Sequence, residues 1–257
     1  MKLACHTITF GDEQNQRFPE IFNALSAIGY SGVEIGFRHI GPLGSQQLKE
    51  WLDAADLQLV ATHLGGNLED TSQAAGEQKI IDEVMDFLWP LGTRMIMYSG
   101  LRFVDDAQFK RDLAMLDHGA QRCADRGFRL LYHNHDWEFA DDQRVMSALV
   151  QDTDAALGFC PDVGWIDKSG TDVLSFLPQI RDRIGAVHFK DFASRDRQEK
   201  RLDTVELGNG VVPIADVIQW LGDKDLSSLW GIAEQDTSEL SAEEAVRINY
   251  NYLQSVQ

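Results

Sequence analysis

Four of the seven histidines in this sequence close short apolar runs or stand just beyond them, and acids close other runs. His63 ends Leu59–His63. His133 ends Arg129–His133, with Asn134 and His135 beside it. Asp162 ends Ala156–Asp162, and Glu234 ends Trp230–Glu234. His188 lies in Ala186–Lys190, ahead of Asp191. Imidazole and carboxylate without thiolate suit Mn, Co, Mg, Zn or Fe, and a mixed N/O set with open positions is what a catalytic divalent metal ion needs. Each residue also has a plainer explanation. A lone histidine is more often packed in a core, and Asp162 could merely cap a loop. Glu234 follows the apolar run Trp230–Ala233, where a carboxylate is costly to bury unless it is paired or metal-bound. Its place favours ligation.

These residues need elements that bring them together. The apolar runs are Lys2–Thr9, Gly32–Gly36, Leu59–His63, Arg94–Ser99, Arg129–His133, Ala156–Asp162, Ala186–Lys190 and Trp230–Glu234, each the length of a buried strand. Helical spacing marks the stretches between them: Phe18–Ile28, Gln46–Ala55, Gln78–Trp89, Phe109–Asp125, Gln143–Val150, Val173–Ile180, Ile214–Leu221 and Ala242–Leu253. Gly29, Gly92, Gly127 and Gly222 read as helix ends, and Asp106, Asp172 and Ser241 as N-caps. Strict alternation demands a parallel sheet with helices packed on it. Eight repeats in 257 residues favour one (β/α)8 barrel in a single domain, residues 1–257. An open doubly wound sheet is the alternative, but Thr9-Phe10-Gly11-Asp12 after the first run has no Gly-rich nucleotide loop. In a barrel the chemistry collects at the C-terminal ends of the strands, where these residues fall.

Phe159-Cys160-Pro161-Asp162-Val163-Gly164-Trp165, Val187-His188-Phe189-Lys190-Asp191, Glu234-Gln235-Asp236 and Leu207-Gly208-Asn209-Gly210-Val211-Val212 together resemble the sugar phosphate isomerase/epimerase family of xylose isomerase-like TIM barrels. Tyr132-His133-Asn134-His135-Asp136-Trp137-Glu138-Phe139 is similar to a motif of one subgroup. The resemblance implies one divalent metal ion held by residues at the ends of strands five to eight, usually Glu, Asp, His and Glu. Asp162, His188 and Glu234 match the last three. His133 stands at the first, with Glu138 in reserve. Strand alternation puts His133 and His135 on one face, so His135 is expected near substrate. The resemblance also implies Glu234 as both ligand and proton-transfer group. Lys190 is a further catalytic candidate. His63, Glu34 and Trp165 are candidate substrate contacts, as is Glu138. His6 reads as packed inside its strand, and His39 and His118 as solvated.

A divalent ion chelated by neighbouring sugar oxygens polarises a carbonyl and stabilises the enediolate left when the adjacent proton departs. Reprotonation then gives isomerisation or epimerisation, and loss of a leaving group gives dehydration. Family frequency places the isomerase or epimerase first. The histidine at strand five favours its close rival, β-elimination from a keto-sugar, as in the inosose dehydratase and keto-glycoside-cleaving relatives.

Composition argues against some other classes and leaves others as lesser alternatives. With 23 Lys+Arg against 41 Asp+Glu, the net charge of −18 repels phosphate backbones and anionic lipid, so neither nucleic acid nor membrane is an expected partner. An abasic-site endonuclease on this barrel would need more histidines and a basic groove. A non-catalytic sugar-binding protein would need no metal. Cys5, Cys123 and Cys160 make an odd set without CxxC spacing, which predicts free thiols in a reducing compartment. The expected setting is cytoplasmic, with a small sugar or keto-sugar as ligand and possible pairing into a homodimer. Arg195, Arg197, Lys200 and Arg201 read as a solvated charged loop.

Overall fold

The computed structural model describes residues 1–66, 74–196, 203–226 and 228–257, with only the backbone of residues 74 and 75. Eight parallel strands form the barrel: β1 Lys2–His6, β2 Gly32–Gly36, β3 Gln58–Gly65, β4 Met95–Ser99, β5 Arg129–His133, β6 Leu157–Cys160, β7 Ala186–Phe189 and β8 Trp230–Ala233. Seven ladders run in the order β6-β5-β4-β3-β2-β1-β8-β7. Parallel bridges Phe159–Ile184 and Asp162–His188 bring β6 to β7 and close the ring. This is a TIM barrel, with α1 Gln14–Ile28, α2 Ser45–Ala54, α3 Ala74–Leu88, α4 Asp106–Asp125, α5 Ala140–Gln151, α6 Val173–Ile180, α7 Ile214–Asp223 and α8 Ala242–Ser255 outside it.

The large core fills the layer between strands and helices. A second cluster, including Ala4, Met97, Leu131, Cys160, Ala186 and Ile232, fills the barrel itself. Successive inward side chains on a strand are two residues apart. The residues two further along are therefore His6, Ser99, His133, Asp162, His188 and Glu234, and the interior turns polar within one step. No helix among the described residues is long and apolar enough to cross a membrane. All three cysteines are free and buried.

Local signals place several boundaries. Ser241 caps α8 through a reciprocal capping box with Glu244, and Asp172 accepts from Ser175 N at 2.7 Å. Gly29, Gly92 and Gly127 end their helical segments at positive φ. Three expectations shift. Asp105, not Asp106, caps α4 by accepting from Gln108 N at 2.8 Å. Gly222 lies within the last turn of α7. β1 stops at His6, because Nδ1 of its ring accepts from Ile8 N at 3.0 Å and starts a helical turn over Thr7–Glu13.

Candidate metal centre

The ends of β5, β6, β7 and β8 bring His133, Asp162, His188 and Glu234 together, with one ligand atom from each lying within 4.8 Å of the others. Every member is buried. Local bonds set the placement. Asp162 Oδ1 accepts from Trp165 N at 2.9 Å and caps the short helix Val163–Lys168, leaving Oδ2 facing inward. That helix can approach β7 because position 164 is glycine: a Cβ there would lie 2.6 Å from Lys190 O. Asn134 ties β5 to β6, accepting from Asp162 N at 3.0 Å and donating to Asp162 O at 3.3 Å. His188 Nδ1 faces Glu234 Oε2, and its Nε2 lies 2.8 Å from Glu34 Oε2.

Two features fit this cluster to a divalent cation. Neither ring nitrogen of His133 has a hydrogen-bond partner among the described residues, and neither does Asp162 Oδ2. Buried polar atoms without partners are expensive, and a cation among these donors would relieve both. Burial pushes the His133 imidazole well below its ordinary pKa, leaving it neutral with a lone pair to give. Burial also pushes the Asp162 carboxyl up to about 7 against the pull of Lys190. At Glu234 burial acts in the same upward sense, but Lys190 and His188 outweigh it and hold the carboxyl well below the usual range.

Lys190 is fully buried, 3.1 Å from Glu234 Oε1, 3.5 Å from Asp162 Oδ2 and 2.7 Å from Asp236 Oδ2. Burial opposes its charge, yet Glu234, Asp236 and Asp162 push its pKa up. Lys190 is thus a fixed cation that holds Glu234 ionised. Asp191, next in the chain, accepts from the backbone N–H groups of Phe192, Gly208, Gly210 and Val212. It pins the Gly-rich turn over the strand end.

A cavity of about 400 Å³ opens above the cluster, lined in part by His6, Arg38, His39, His63, His135, Glu234 and Asp236. Of the expected site residues, His63, His135 and Glu234 reach its wall. His133, Asp162, His188 and Lys190 lie buried beside it. Three expected substrate contacts do not line it. Glu34 is buried against His188. Trp165 is buried, under Lys190 and against Phe192. Glu138 faces away: Oε1 accepts from Tyr132 Oη at 2.7 Å and Oε2 from His135 N at 2.8 Å. With both oxygens engaged, Glu138 braces the β5 loop and does not join the ligand cluster.

His6, read as packing, stands at the mouth because its strand ends there. His39, read as solvated, is buried against Asn15 at 2.8 Å, whereas His118 is exposed. Asp236 and Asn134 had been given no role, although the alternation that pairs His133 with His135 also carries Glu234 to Asp236. Arg195 pairs with Asp167 at 2.8 Å. Arg197, Lys200 and Arg201 lie outside the described residues.

The sequence pattern of the xylose isomerase-like TIM barrel family matches residues 22–256. An inosose dehydratase of Lacticaseibacillus casei is 24% identical over 212 residues, covering 76% of this chain and 70% of that protein. A sugar phosphate isomerase/epimerase structure from Parabacteroides distasonis superposes with a TM-score of 0.83 at 19% identity, covering 99% of this chain and 96% of the other. The structure of the IOLI protein with a bound zinc atom superposes with a TM-score of 0.76 at 14% identity, covering 100% and 98%.

Proposed function

This chain belongs to the xylose isomerase-like TIM barrel family, and from that premise we propose a divalent-metal-dependent enzyme that eliminates water from a polyhydroxy ketone, a keto-sugar or cyclic keto-polyol. His133, Asp162, His188 and Glu234 hold the cation, which when bound polarises the substrate carbonyl and stabilises negative charge on its oxygen. Glu234, which both joins the cluster and lines the cavity, accepts the proton from the carbon beside the carbonyl. His135, partly buried at the cavity wall and stacked on Trp137 at 4.0 Å between ring centroids, gives a proton to the departing β-hydroxyl. One C–H and one C–O bond break, a C=C bond forms and water leaves. Solvent then restores both side chains. Lys190 keeps Glu234 ionised until the proton arrives.

The observation that carries this reading is the chemistry at the end of β5. A symmetric epimerase needs a second carboxylate there to exchange the proton on the opposite face. This chain supplies His133 and His135, and the nearby Glu138 is turned away and fully engaged. The 24%-identical inosose dehydratase supports the same preference. It reverses the order set by family frequency, which placed isomerisation or epimerisation first. The zinc in the IOLI structure supports a cation in such a barrel without fixing which ion acts here.

Metal-loaded protein incubated with keto-inositols and keto-sugars in D2O tests the reading. Elimination gives enone absorbance and a product lighter by one water. Deuterium uptake with no loss of water would turn the assignment to isomerase or epimerase. Neither signal across such a panel, with metal bound, would reject this substrate class.

A further inference from the structure

A second group, His6, Glu34 and His63, sits beside the four-residue cluster, its ligand atoms within 4.8 Å of one another. Glu34 is fully buried. Its Oε1 lies 3.5 Å from His6 Nε2 and 3.6 Å from His63 Nδ1. Its Oε2 lies 2.8 Å from His188 Nε2. One carboxylate from β2 therefore meets imidazoles from β1, β3 and β7.

A second cation is the obvious occupant, and the hydrogen bonding of His6 opposes it. His6 Nδ1 accepts from Ile8 N at 3.0 Å. In a neutral ring the proton must then be on Nε2, the atom facing Glu34, which leaves no lone pair there for a metal. The same logic at His188 points elsewhere. Its Nδ1 faces Glu234, a member of the four-residue cluster, and its Nε2 faces Glu34. A ring that gives one nitrogen to a cation carries its proton on the other, and a carboxylate facing that proton fixes the tautomer and ring orientation.

We infer that Glu34 is a positioning residue: by holding the Nε2–H of His188 it presents Nδ1 of that ring, unprotonated, to the divalent cation. The inference rests on the proposed metal centre and goes beyond it, because Glu34 touches neither cation nor substrate in this arrangement. It replaces the substrate contact expected for Glu34 and leaves His6 and His63 as hydrogen-bonding groups at the cavity.

The test is a Zn2+ titration of the full-length, metal-stripped protein by calorimetry, comparing wild type with Glu34→Gln and Glu34→Ala. Wild type takes up one equivalent. Folded variants still take up one, with affinity weaker by about 10–100-fold, the usual cost of losing such a partner. Nitrogen NMR of histidine-labelled, zinc-loaded wild type shows His188 protonated at Nε2 and metal-bound at Nδ1, a readout that needs no variant and that a merely structural role would not set. Unchanged affinity in folded Glu34→Gln overturns the inference, as does metal at His188 Nε2. Two equivalents in wild type, with one lost in Glu34→Gln, overturns it in favour of a second cation site. Wild type that binds no zinc, manganese or cobalt rejects the metal centre itself, and this inference with it.

Discussion

The lower and upper parts of the barrel interior share the same strands and the same two-residue period, yet they are built on opposite terms. Below, Ala4, Leu131, Ala186 and Ile232 pack with no polar side-chain atom to satisfy. Above, the next inward residues are His6, His133, His188 and Glu234, among which His133 has no hydrogen-bond partner among the described residues for either ring nitrogen. A well-packed apolar layer contributes stability without chemistry. A layer of buried imidazoles and carboxylates gives up stability for donors that the proposed cation and substrate would complete. The lower layer also makes a rigid floor from which short polar side chains project at fixed spacing.

That contrast can be broken or sharpened. The largest effect is expected at Glu234. Glu234→Gln keeps the shape and removes the proposed base, so turnover is expected to fall by about 10²–10⁴-fold, the range for losing a positioned proton-transfer group. Steady-state rates on whichever substrate the D2O screen identifies will measure it, and near-normal turnover would remove Glu234 from the reaction. Next comes the floor. Leu131→Ala should cost roughly 2–5 kcal/mol of stability, as buried leucine truncations do, while bound metal per folded chain stays unchanged. Denaturant melts paired with elemental analysis report both, and a parallel loss of metal would show that the two layers are not separable.

A smaller and opposite effect is expected at His133. Replacing a buried ring whose nitrogens have no hydrogen-bond partner among the described residues with leucine removes a desolvation cost of about 1–3 kcal/mol. Metal-free His133→Leu should therefore melt higher than metal-free wild type and bind metal poorly. A variant that melts lower would mean the imidazole is already satisfied in the metal-free protein.

The smallest signal is a pH dependence. Glu138 has its carboxyl raised by burial from 4.5 to about 7, against the opposing pull of the Tyr132 and His135 hydrogen bonds. Unfolded, it loses its proton near 4.5, so between that pH and about 7 the folded protein holds an extra proton. The contribution is present below pH 4.5, falls as pH rises and is gone above about 7. Glu138→Gln should remove that decline from a series of melts. An unaltered pH profile would mean that Glu138 is ionised throughout the range.

Much of this was readable in one dimension. Eight apolar runs separated by amphipathic stretches demanded a parallel sheet and favoured its closure into a barrel, and the strand-end rule located Asp162, His188 and Glu234 without coordinates. The histidine at β5 was legible as a departure from the usual glutamate, and its leaning toward β-elimination carries over into the proposed chemistry. Boundaries were less legible. Extending β1 to Thr9 hid His6 inside a strand, because an apolar run does not reveal that its own histidine accepts from Ile8 N and turns the chain.

Periodicity and residue type by themselves determined the fold, the end of the barrel that carries chemistry and the donors found there, because burial patterns and side-chain chemistry are local properties. Only the tertiary structure decided which donors meet. Glu34 and Trp165, expected at the substrate, are buried beneath the mouth; Glu138 is turned outward; His6, His39 and Asp236 reach the cavity wall. For Glu34 and Asp236 the physical reason is a contact between strands that are distant in the sequence or joined only by the closed barrel. Glu34 meets His188 from five strands along the chain, and Lys190 meets Asp236 from the next strand. Closure of the barrel creates those distances, and no spacing within a single strand encodes them.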